Sequence, residues 1–239
     1  MWAHRELRVG VGVGVTDRDG GVSAAPRASL NLGDHVGDDP AAVVENRRRL
    51  AADIGVDALV TMRQVHGADV AVVEDVPSEP PEADALVTAG RGLALVVLVA
   101  DCTPVLLSDR RAGVIAAAHA GRRGLAAGVL PATLDVMAGL GARADRIHAV
   151  VGPGICPEHY EVPAEMRAEV TALAPGSDAS TSRGTPALDI RAGLLRQLHE
   201  AGVRRLAVLP QCSAEDDRFF SHRRDGVTGR FAGVVWRMS

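Results

Sequence analysis

The 239 residues can bury a substantial core, and no long Pro- or Ser-rich linker divides them, so one domain over residues 1–239 is expected. A net charge of −4 argues against non-specific binding to nucleic acid. All 26 basic residues are arginines, which excludes Schiff-base chemistry and a Walker-type phosphate loop, because both need a lysine.

The composition also predicts a cytoplasmic protein without a membrane partner. The longest apolar run, Leu93–Ala100, is far shorter than the roughly 20 residues that cross a bilayer. The first residues, MWAHRELR, lack a hydrophobic signal segment. Three cysteines are an odd, sparse set that suits reduced thiols better than disulfides. The sequence leaves open whether the protein is a monomer or a homodimer.

The first third of the chain predicts a glycine-rich strand and a well-defined helix. Residues Arg8–Val15 alternate glycine and valine, and without the third glycine of GxGxxG they indicate a strand rather than a dinucleotide-binding loop. A helix is predicted from Pro40, with Asp39 as its N-cap and Gly55 at its end. Arg47 lies at helical spacing from the apolar stripe and can point toward a pocket.

Short apolar runs bounded by polar turns predict most of the remaining strands. They are Ala28–Leu32, Ala58–Met62, Val70–Val73, Asp84–Thr88, Leu93–Ala100, Gly113–Ala118, Arg146–Val151, Arg204–Leu209 and Phe231–Trp236. Further helices are predicted at Arg122–Leu140, where Pro131 should kink or split the helix, and at Pro163–Leu173 and Ile190–Gly202. The polar stretch Ala174–Pro186 reads as a surface loop. Strands and helices alternate irregularly, which predicts an α/β protein of the α+β type: a mixed sheet core flanked by helices.

His66, Cys102 and His119 are the candidate metal ligands and catalytic residues. Cys102 and His119 each follow an apolar run, and His66 lies in a turn between two predicted strands. Two imidazoles and a thiolate with an open fourth position are typical of catalytic zinc. Asp101, an ionisable residue directly after a buried strand, is a candidate proton carrier or a partner of a ligating histidine. The alternative is a buried apolar cysteine and an ordinary core histidine.

A second cluster, FFSHRRDGVTGR, combines cations with aromatic residues. Arg223, Arg224 and Arg230 can form an anion pocket, since the guanidinium fork suits phosphate. Phe219 and Phe220 precede them, and an aromatic beside an anion site fits a ligand with a planar base and a phosphate. An ordinary charged turn is the alternative.

The chain resembles the YfiH family, also called the polyphenol oxidase or laccase-domain family and now regarded as purine nucleoside phosphorylases. The resemblance spans roughly Asn31 to Trp236 and rests on NLGDHVGDDP, ENRRRL, QVHGADV, DALVT, ADCTPVLL, AAHAGRRG, GPGICPEHYEV and FFSHRRDGVTGR. It implies a mixed α/β sandwich with outer helices and Zn²⁺ held by His66, Cys102 and His119. It also implies phosphorolysis of adenosine, inosine, guanosine and methylthioadenosine, with adenosine deaminase activity.

Purine nucleosides and phosphate are therefore the expected substrates. The residues expected to bind them are Asn31, Arg47, Gln64, Arg223, Arg224 and Arg230. The chain departs from the family pattern twice. Arg122 stands where the family usually has Trp, which could change the pocket wall. His159 stands where the family often has Cys, which could change how the base is recognised.

Three other interpretations remain open. Two His and one Cys also suit a blue-copper centre, so a copper-dependent polyphenol oxidase is the first alternative. The second is a Cys–His hydrolase with Cys102 as nucleophile and His66 or His119 as base. The third is a metal-binding module without enzymatic activity.

Overall fold

The computed structural model describes residues 1–238. The strands are β1 (Trp2–Arg8), β2 (Val11–Thr16), β3 (Ala58–Val60), β4 (Val70–Val72), β5 (Ala85–Thr88), β6 (Leu93–Val99), β7 (Thr103–Asp109), β8 (Val114–Ala120), β9 (His148–Val151), β10 (Asp178–Ser180), β11 (Pro186–Leu188), β12 (Arg205–Val208) and β13 (Phe231–Arg237). The helices are α1 (Pro40–Ile54), α2 (Arg122–Ala127), α3 (Val129–Gly139), α4 (Ala164–Leu173), α5 (Ile190–Glu200) and α6 (His222–Asp225), with a 3₁₀ turn at Pro157–His159.

Two mixed sheets form the centre of the molecule. One has five strands in the order β1-β2-β13-β6-β3, and the other has six in the order β12-β9-β7-β8-β5-β4. Strand pairs are antiparallel except β3 with β6, β4 with β5 and β9 with β12. A separate pair is formed by β10 and β11. The mixed α/β prediction is therefore confirmed.

The central strands of both sheets are buried on both faces, and β6 shows why such a strand is continuously apolar. Its odd-numbered residues from Leu93 to Val99 face the layer between the two sheets, where Leu106 and Ile115 of the other sheet also pack. Its even-numbered residues, Ala94, Val96 and Leu98, pack on the opposite face. Because side chains alternate along a strand, a strand covered on both faces loses the apolar–polar alternation.

Helices cover the two outer faces. Leu50 and Ile54 of α1 pack against the five-stranded sheet. Residues of α2 to α5, including Leu125 and Leu194, pack against the six-stranded sheet. The boundaries of α1 follow its sequence: Asp39 Oδ1 accepts the Ala41 N–H at 2.9 Å, and Gly55 takes the left-handed conformation with φ 69°. None of the helices within residues 1–238 has both the length and the apolar character that crossing a bilayer requires.

Several elements differ from the sequence prediction. The Arg8–Val15 stretch is split by a turn at Gly10, and residues 28–32 form no strand. The break between α2 and α3 falls at Gly128, which has φ 81°. Pro131 lies in the first turn of α3, where its missing N–H costs no helical hydrogen bond. Strand β7 was not predicted, and part of the expected 174–186 loop forms β10.

Gly233 of β13 lies where the two sheets approach each other. A Cβ at this position would lie 2.7 Å from Pro104 Cβ and 3.2 Å from Leu106 Cδ2, both in the opposite sheet. Since close-packed interiors respond to a single added methyl group, this glycine sets the local distance between the sheets.

We therefore expect Gly233→Ala to lower the free energy of unfolding by about 1–3 kcal/mol through overpacking. Gly139→Ala is the matched control, because a Cβ there meets no atom within 4 Å and alanine favours the helix. Urea titration of both variants measures the difference. Equal stability of the two variants would contradict this description of the sheet interface.

Candidate metal centre and substrate pocket

A pocket of about 830 Å³ opens at the end of the sandwich where β6 and β8 finish. Its walls include His66, Cys102 and His119, together with several arginines and Tyr160. The strand ends supply rigid support, and the loops supply access from solvent. The three residues predicted as ligands thus share one cavity.

The pairing of β7 with β8 brings Cys102 and His119 together. These strands are antiparallel, with Pro104 opposite His119 and Thr103 opposite Ala120. Cys102, one residue before β7, therefore lies beside the end of β8. The two residues are distant in sequence but close in space, because the chain reverses direction between β7 and β8.

His66 reaches the same place through a turn that Asp84 holds. The Asp84 carboxylate accepts the backbone N–H groups of Val65, His66 and Gly67 at 3.2, 2.9 and 2.6 Å. His66 itself adopts φ 63°, an uncommon conformation for a residue other than glycine. Asp84 directly precedes β5, which pairs with β8, so one carboxylate fixes the His66 turn relative to His119.

Asp84 also orients His119. The Nδ1 atom of His119 lies 2.8 Å from Asp84 Oδ1, and both residues are buried. With Nδ1 engaged, Nε2 is the ring nitrogen left for a ligand, which is the usual role of a carboxylate behind a metal-binding histidine. The donor atoms of His66, Cys102 and His119 lie within 4.8 Å of one another, and the two imidazole rings meet edge to face.

The electrostatics of the cluster favour a thiolate. Burial raises the pKa of the Cys102 thiol, but the charge of His119 and hydrogen bonds from both histidines outweigh burial and lower this pKa to about 6. Burial lowers the pKa of His119, but the Cys102 thiolate and Asp84 outweigh burial and raise it to about 9. A thiolate is the form of cysteine that binds metals and attacks electrophiles.

The residues present fit a zinc or copper ion by donor type. Two imidazole nitrogens and one thiolate are ligands that both metals accept. Gly121 keeps the centre open, because a Cβ there would lie 2.7 Å from Cys102 Sγ and 3.4 Å from His66 Cδ2. Within residues 1–238, no fourth His, Cys, Asp or Glu side chain joins this group. A fourth coordination position is therefore left for water or substrate.

Asp101 lines the pocket, but its contacts differ from the predicted ones. Its Oδ1 accepts the hydroxyls of Ser213 and Ser221 at 2.7 and 2.6 Å, and its Oδ2 accepts the Arg223 N–H at 2.7 Å. The acid that contacts a candidate ligand is Asp84, not Asp101. Asp101 thus connects the β6–β7 turn to the loop and helix that carry Arg223.

Two arginines of the second cluster line the pocket. The Arg223 guanidinium carbon lies 5.3 Å from the centre of the Tyr160 ring. Arg230 NH1 donates to two backbone carbonyls, of Thr228 and Gly229, and burial lowers the pKa of its guanidinium. Among the described residues, no carboxylate forms an ion pair with either side chain, so both remain available to an anion.

Two other predicted substrate-binding residues, Arg47 and Gln64, line the pocket as well, although each has internal partners. The Arg47 NH2 atom lies 3.2 Å from Asp34 Oδ2, and its Nε donates to the Leu32 carbonyl. The Gln64 amide both donates to and accepts from the backbone of Leu98. Gln64 therefore fastens the His66 loop to the end of β6.

Asn31 and Arg224 do not line the pocket. The Asn31 amide bonds to Gly33, Asp38 and the Arg230 N–H, so it supports Arg230 from behind. The Arg224 guanidinium is paired with Asp225 at 2.7 and 2.9 Å and also donates to backbone carbonyls. Of the six residues predicted to bind substrate, these two therefore lie behind the pocket wall, and their contact with substrate stays a prediction.

The phenylalanines of the second cluster also lie elsewhere. Phe219 and Phe220 are fully buried between the sheets, so they do not face a ligand. Tyr160, which directly follows His159, contributes an aromatic ring to the pocket. Burial raises the pKa of Tyr160, although the charge of Arg122 opposes it, and Arg122 itself lines the pocket.

Asp84 is the functional residue that sequence reasoning missed. The signal was available, since an acid directly precedes an apolar strand in ADALVT. A buried carboxylate needs partners, and here they are a turn and a histidine.

The fold and the site together define a mixed α/β protein, a two-sheet sandwich with a candidate metal-binding Cys/His cluster at its strand ends. The chain belongs to the family described as multi-copper polyphenol oxidoreductase laccase, whose sequence model matches residues 12–238. A Streptomyces coelicolor protein named purine nucleoside phosphorylase is 56% identical over 241 residues, which cover 99% of each chain. A Corynebacterium glutamicum protein of that name is 54% identical over 226 residues, 92% of each chain.

Solved structures show the same architecture. YlmD from Geobacillus stearothermophilus superposes with a TM-score of 0.90 at 34% identity, covering 100% of this chain and 98% of that one. A Bacillus licheniformis protein, YfiH, gives a TM-score of 0.88 at 29% identity over 96% of this chain and 93% of that one. The resemblance to the YfiH family is thereby confirmed.

The Cys102 thiol of the metal-free protein should react with iodoacetamide at unusually low pH. Because the folded-state pKa is lowered to about 6, the thiolate exists above that pH, and the alkylation rate should rise through pH 6 rather than near 9. Asp84→Asn should move the rise to higher pH by weakening the cationic form of His119. Peptide mapping at each pH isolates the reaction of Cys102.

Asp109→Asn is the matched control for that variant. Asp109 is a buried carboxylate that likewise accepts backbone N–H groups, from Arg111, Ala112 and Arg143, but it does not line the pocket. Its replacement should leave the Cys102 profile in place. If Asp84→Asn alkylated at Cys102 with the same pH dependence as the wild type, Asp84 would not influence the cluster.

Proposed function

We propose that this protein is a zinc-dependent purine nucleoside phosphorylase. The observation that carries the proposal is one pocket that combines the His66–Cys102–His119 cluster with the unpaired guanidinium groups of Arg223 and Arg230. Relatives named purine nucleoside phosphorylase, 54–56% identical, support the same activity. Single-domain organisation, a cytoplasmic location and a monomeric or dimeric state are part of this proposal and rest on the sequence alone.

The pocket suits a nucleoside together with phosphate. Its volume of about 830 Å³ falls in the range of small-molecule sites, about 300–1,000 Å³. Arg223, Arg230 and Arg122 supply positive charge for the phosphate dianion, and guanidinium groups bind phosphate oxygens in pairs. Tyr160 offers an aromatic face for a planar base or a ribose ring.

In the proposed reaction a phosphate oxygen attacks the anomeric carbon C1′ of the nucleoside. The bond between C1′ and the purine nitrogen breaks, its electron pair stays with the purine, and the purine takes up a proton. The products are the free base and ribose 1-phosphate. Arg223 and Arg230 would hold the attacking phosphate in line with the bond that breaks, which lowers the barrier by orientation and charge stabilisation.

His66, Cys102 and His119 would hold the zinc ion, and Asp84 would keep His119 in the tautomer that binds it. A bound zinc ion supplies Lewis acidity toward a substrate oxygen and lowers the pKa of water. Asp101 already accepts three hydrogen bonds, so in this scheme it positions Arg223 and does not carry the proton of the leaving base.

The proposed substrates are adenosine, inosine, guanosine and methylthioadenosine, and adenosine deamination is a proposed second activity. In deamination the oxygen of a water molecule adds to C6 of the purine and ammonia leaves. The sequence lacks the HxE and PCxxC pattern of nucleobase deaminases, so this activity would be an independent solution. The same open position of the cluster would serve both reactions.

Release of free base from inosine or methylthioadenosine should require phosphate and should yield a sugar 1-phosphate. Arg223→Ala should raise KM for phosphate about tenfold or more, since a hydrogen bond to a charged group contributes about 1.5–3 kcal/mol. Chromatography of base and sugar phosphate at varied phosphate concentrations measures both effects. Base release that is independent of phosphate would exclude phosphorolysis.

Two variants serve as references in that assay. Arg48→Ala removes an exposed α1 arginine that pairs only with Glu45, and it should leave KM for phosphate unchanged. Cys102→Ala removes the thiolate of the cluster and should abolish turnover.

Two other functions have specific support. The family description names copper oxidases, and the donor set suits copper. The order Cys102–His119–Asp84 is also that of a nucleophile, a base and an orienting acid in hydrolases, and the lowered pKa of the Cys102 thiol suits a nucleophile.

Metal analysis combined with chelation separates these functions. We expect zinc in the active protein, loss of nucleoside turnover on chelation, and recovery with added zinc. A hydrolase would keep its activity after chelation, and a copper oxidase would show an intense blue thiolate band and turn over phenols. Either result would replace the phosphorylase proposal.

A further inference from the structure

A second cluster of metal-binding side chains lies outside the pocket. It consists of Cys156, His159, Cys212 and Glu215, whose donor atoms lie within 4.8 Å of one another. None of the four side chains lines the pocket described above. All three cysteines of the chain are free thiols, so Cys156 and Cys212 are both available as ligands.

Four distances within this cluster are close to the edges of a coordination tetrahedron. His159 Nδ1 lies 3.4 Å from Cys156 Sγ, 3.9 Å from Cys212 Sγ and 3.3 Å from Glu215 Oε1. Cys156 Sγ lies 3.7 Å from Glu215 Oε1. With Zn–S bonds of about 2.3 Å and Zn–N or Zn–O bonds of about 2.0–2.2 Å, a tetrahedral site has edges of about 3.3–3.8 Å. Four of the six donor-to-donor distances are therefore close to those that one tetrahedral ion requires.

The backbone explains how two short motifs converge. Each contributes two donors three residues apart, Cys156 with His159 and Cys212 with Glu215, a spacing typical of zinc sites. The loops that carry them are joined by a parallel bridge between Gly154 and Cys212, in which Ser213 N–H donates to the Gly154 carbonyl at 3.1 Å. The Cys156 N–H also donates to Cys212 Sγ at 3.2 Å, which draws the two loops together.

We propose that Cys156, His159, Cys212 and Glu215 form a second, structural zinc site. Four protein donors leave no coordination position open, unlike the three-donor cluster in the pocket, and closed tetrahedral sites are structural. Zinc binding would release the two thiol protons and leave a neutral imidazole and a carboxylate as the other ligands. The proposal does not depend on the phosphorylase activity, because it uses no residue of the pocket.

The site would fasten two loops that form part of the pocket wall. Tyr160 directly follows His159, and Ile155, which also lines the pocket, precedes Cys156. On the other loop, Ser213 follows Cys212 and donates to Asp101, which accepts the Arg223 N–H. One ion would thus hold Tyr160 and Arg223, the two side chains that stack in the pocket, at a fixed separation.

The zinc content of the purified full-length protein tests the site. We expect two equivalents of zinc per chain in the wild type after removal of loosely bound metal. Cys156→Ser and Cys102→Ser should each retain one equivalent, and the double variant should retain none. Because the two single variants lose different ions, failure of one site is distinguishable from failure of the other.

Glu215→Gln keeps the proposal testable if Cys156→Ser does not fold, since the Glu215 side chain is 55% exposed. We expect it to lose zinc to a competing chelator at about tenfold lower chelator concentration than the wild type. Retention of one equivalent by the wild type, together with none by Cys102→Ser, would overturn the proposal. So would an unreduced mass lower by two hydrogens, which would assign Cys156 and Cys212 to a disulfide instead.

Discussion

The hydrogen-bonded carboxylate of Asp84 is the interaction on which the candidate centre depends. A buried charge is costly unless donors surround it, and here three consecutive N–H groups and His119 do so. These partners belong to segments far apart in sequence: the His66 turn, the start of β5 and the end of β8. Satisfying one carboxylate therefore brings together two of the three candidate metal-binding side chains without a metal ion.

The rigid frame for this assembly comes from the apolar layers. Both faces of β6 and β8 are buried, so a one-residue shift of either strand would move every side chain into the opposite layer and disrupt the close packing of both layers. Polar chemistry is confined to the strand ends, where solvent can reach it. Gly121 completes the arrangement, because the thiolate of Cys102 occupies the space that a Cβ would need.

Sequence patterns predicted the strands with long apolar runs and placed Cys102 and His119 at their ends, because continuous burial leaves a clear signal. They missed β7, where Pro104 interrupts the pattern; a proline is tolerated there because the pairing with β9 begins only at Val105. Patterns also could not separate Arg223 from Arg224. Only the fold shows that Asp225 neutralises Arg224 and leaves its neighbour free.

Asp101 shows that a residue whose position the sequence predicts can have contacts that the sequence does not reveal. An acid that follows a buried strand beside a cysteine suggests a proton carrier, and Asp101 does line the pocket. In the fold, two hydroxyls and one N–H donate to its carboxylate, so its oxygens already have protein partners. These contacts join the β6–β7 turn to the loop and helix that carry Arg223, a structural link that the sequence pattern did not indicate. Its partner Ser213 lies next to Cys212, so Asp101 connects the second Cys/His cluster to Arg223. The position of the Cys212 loop therefore affects the position of Arg223 in the pocket.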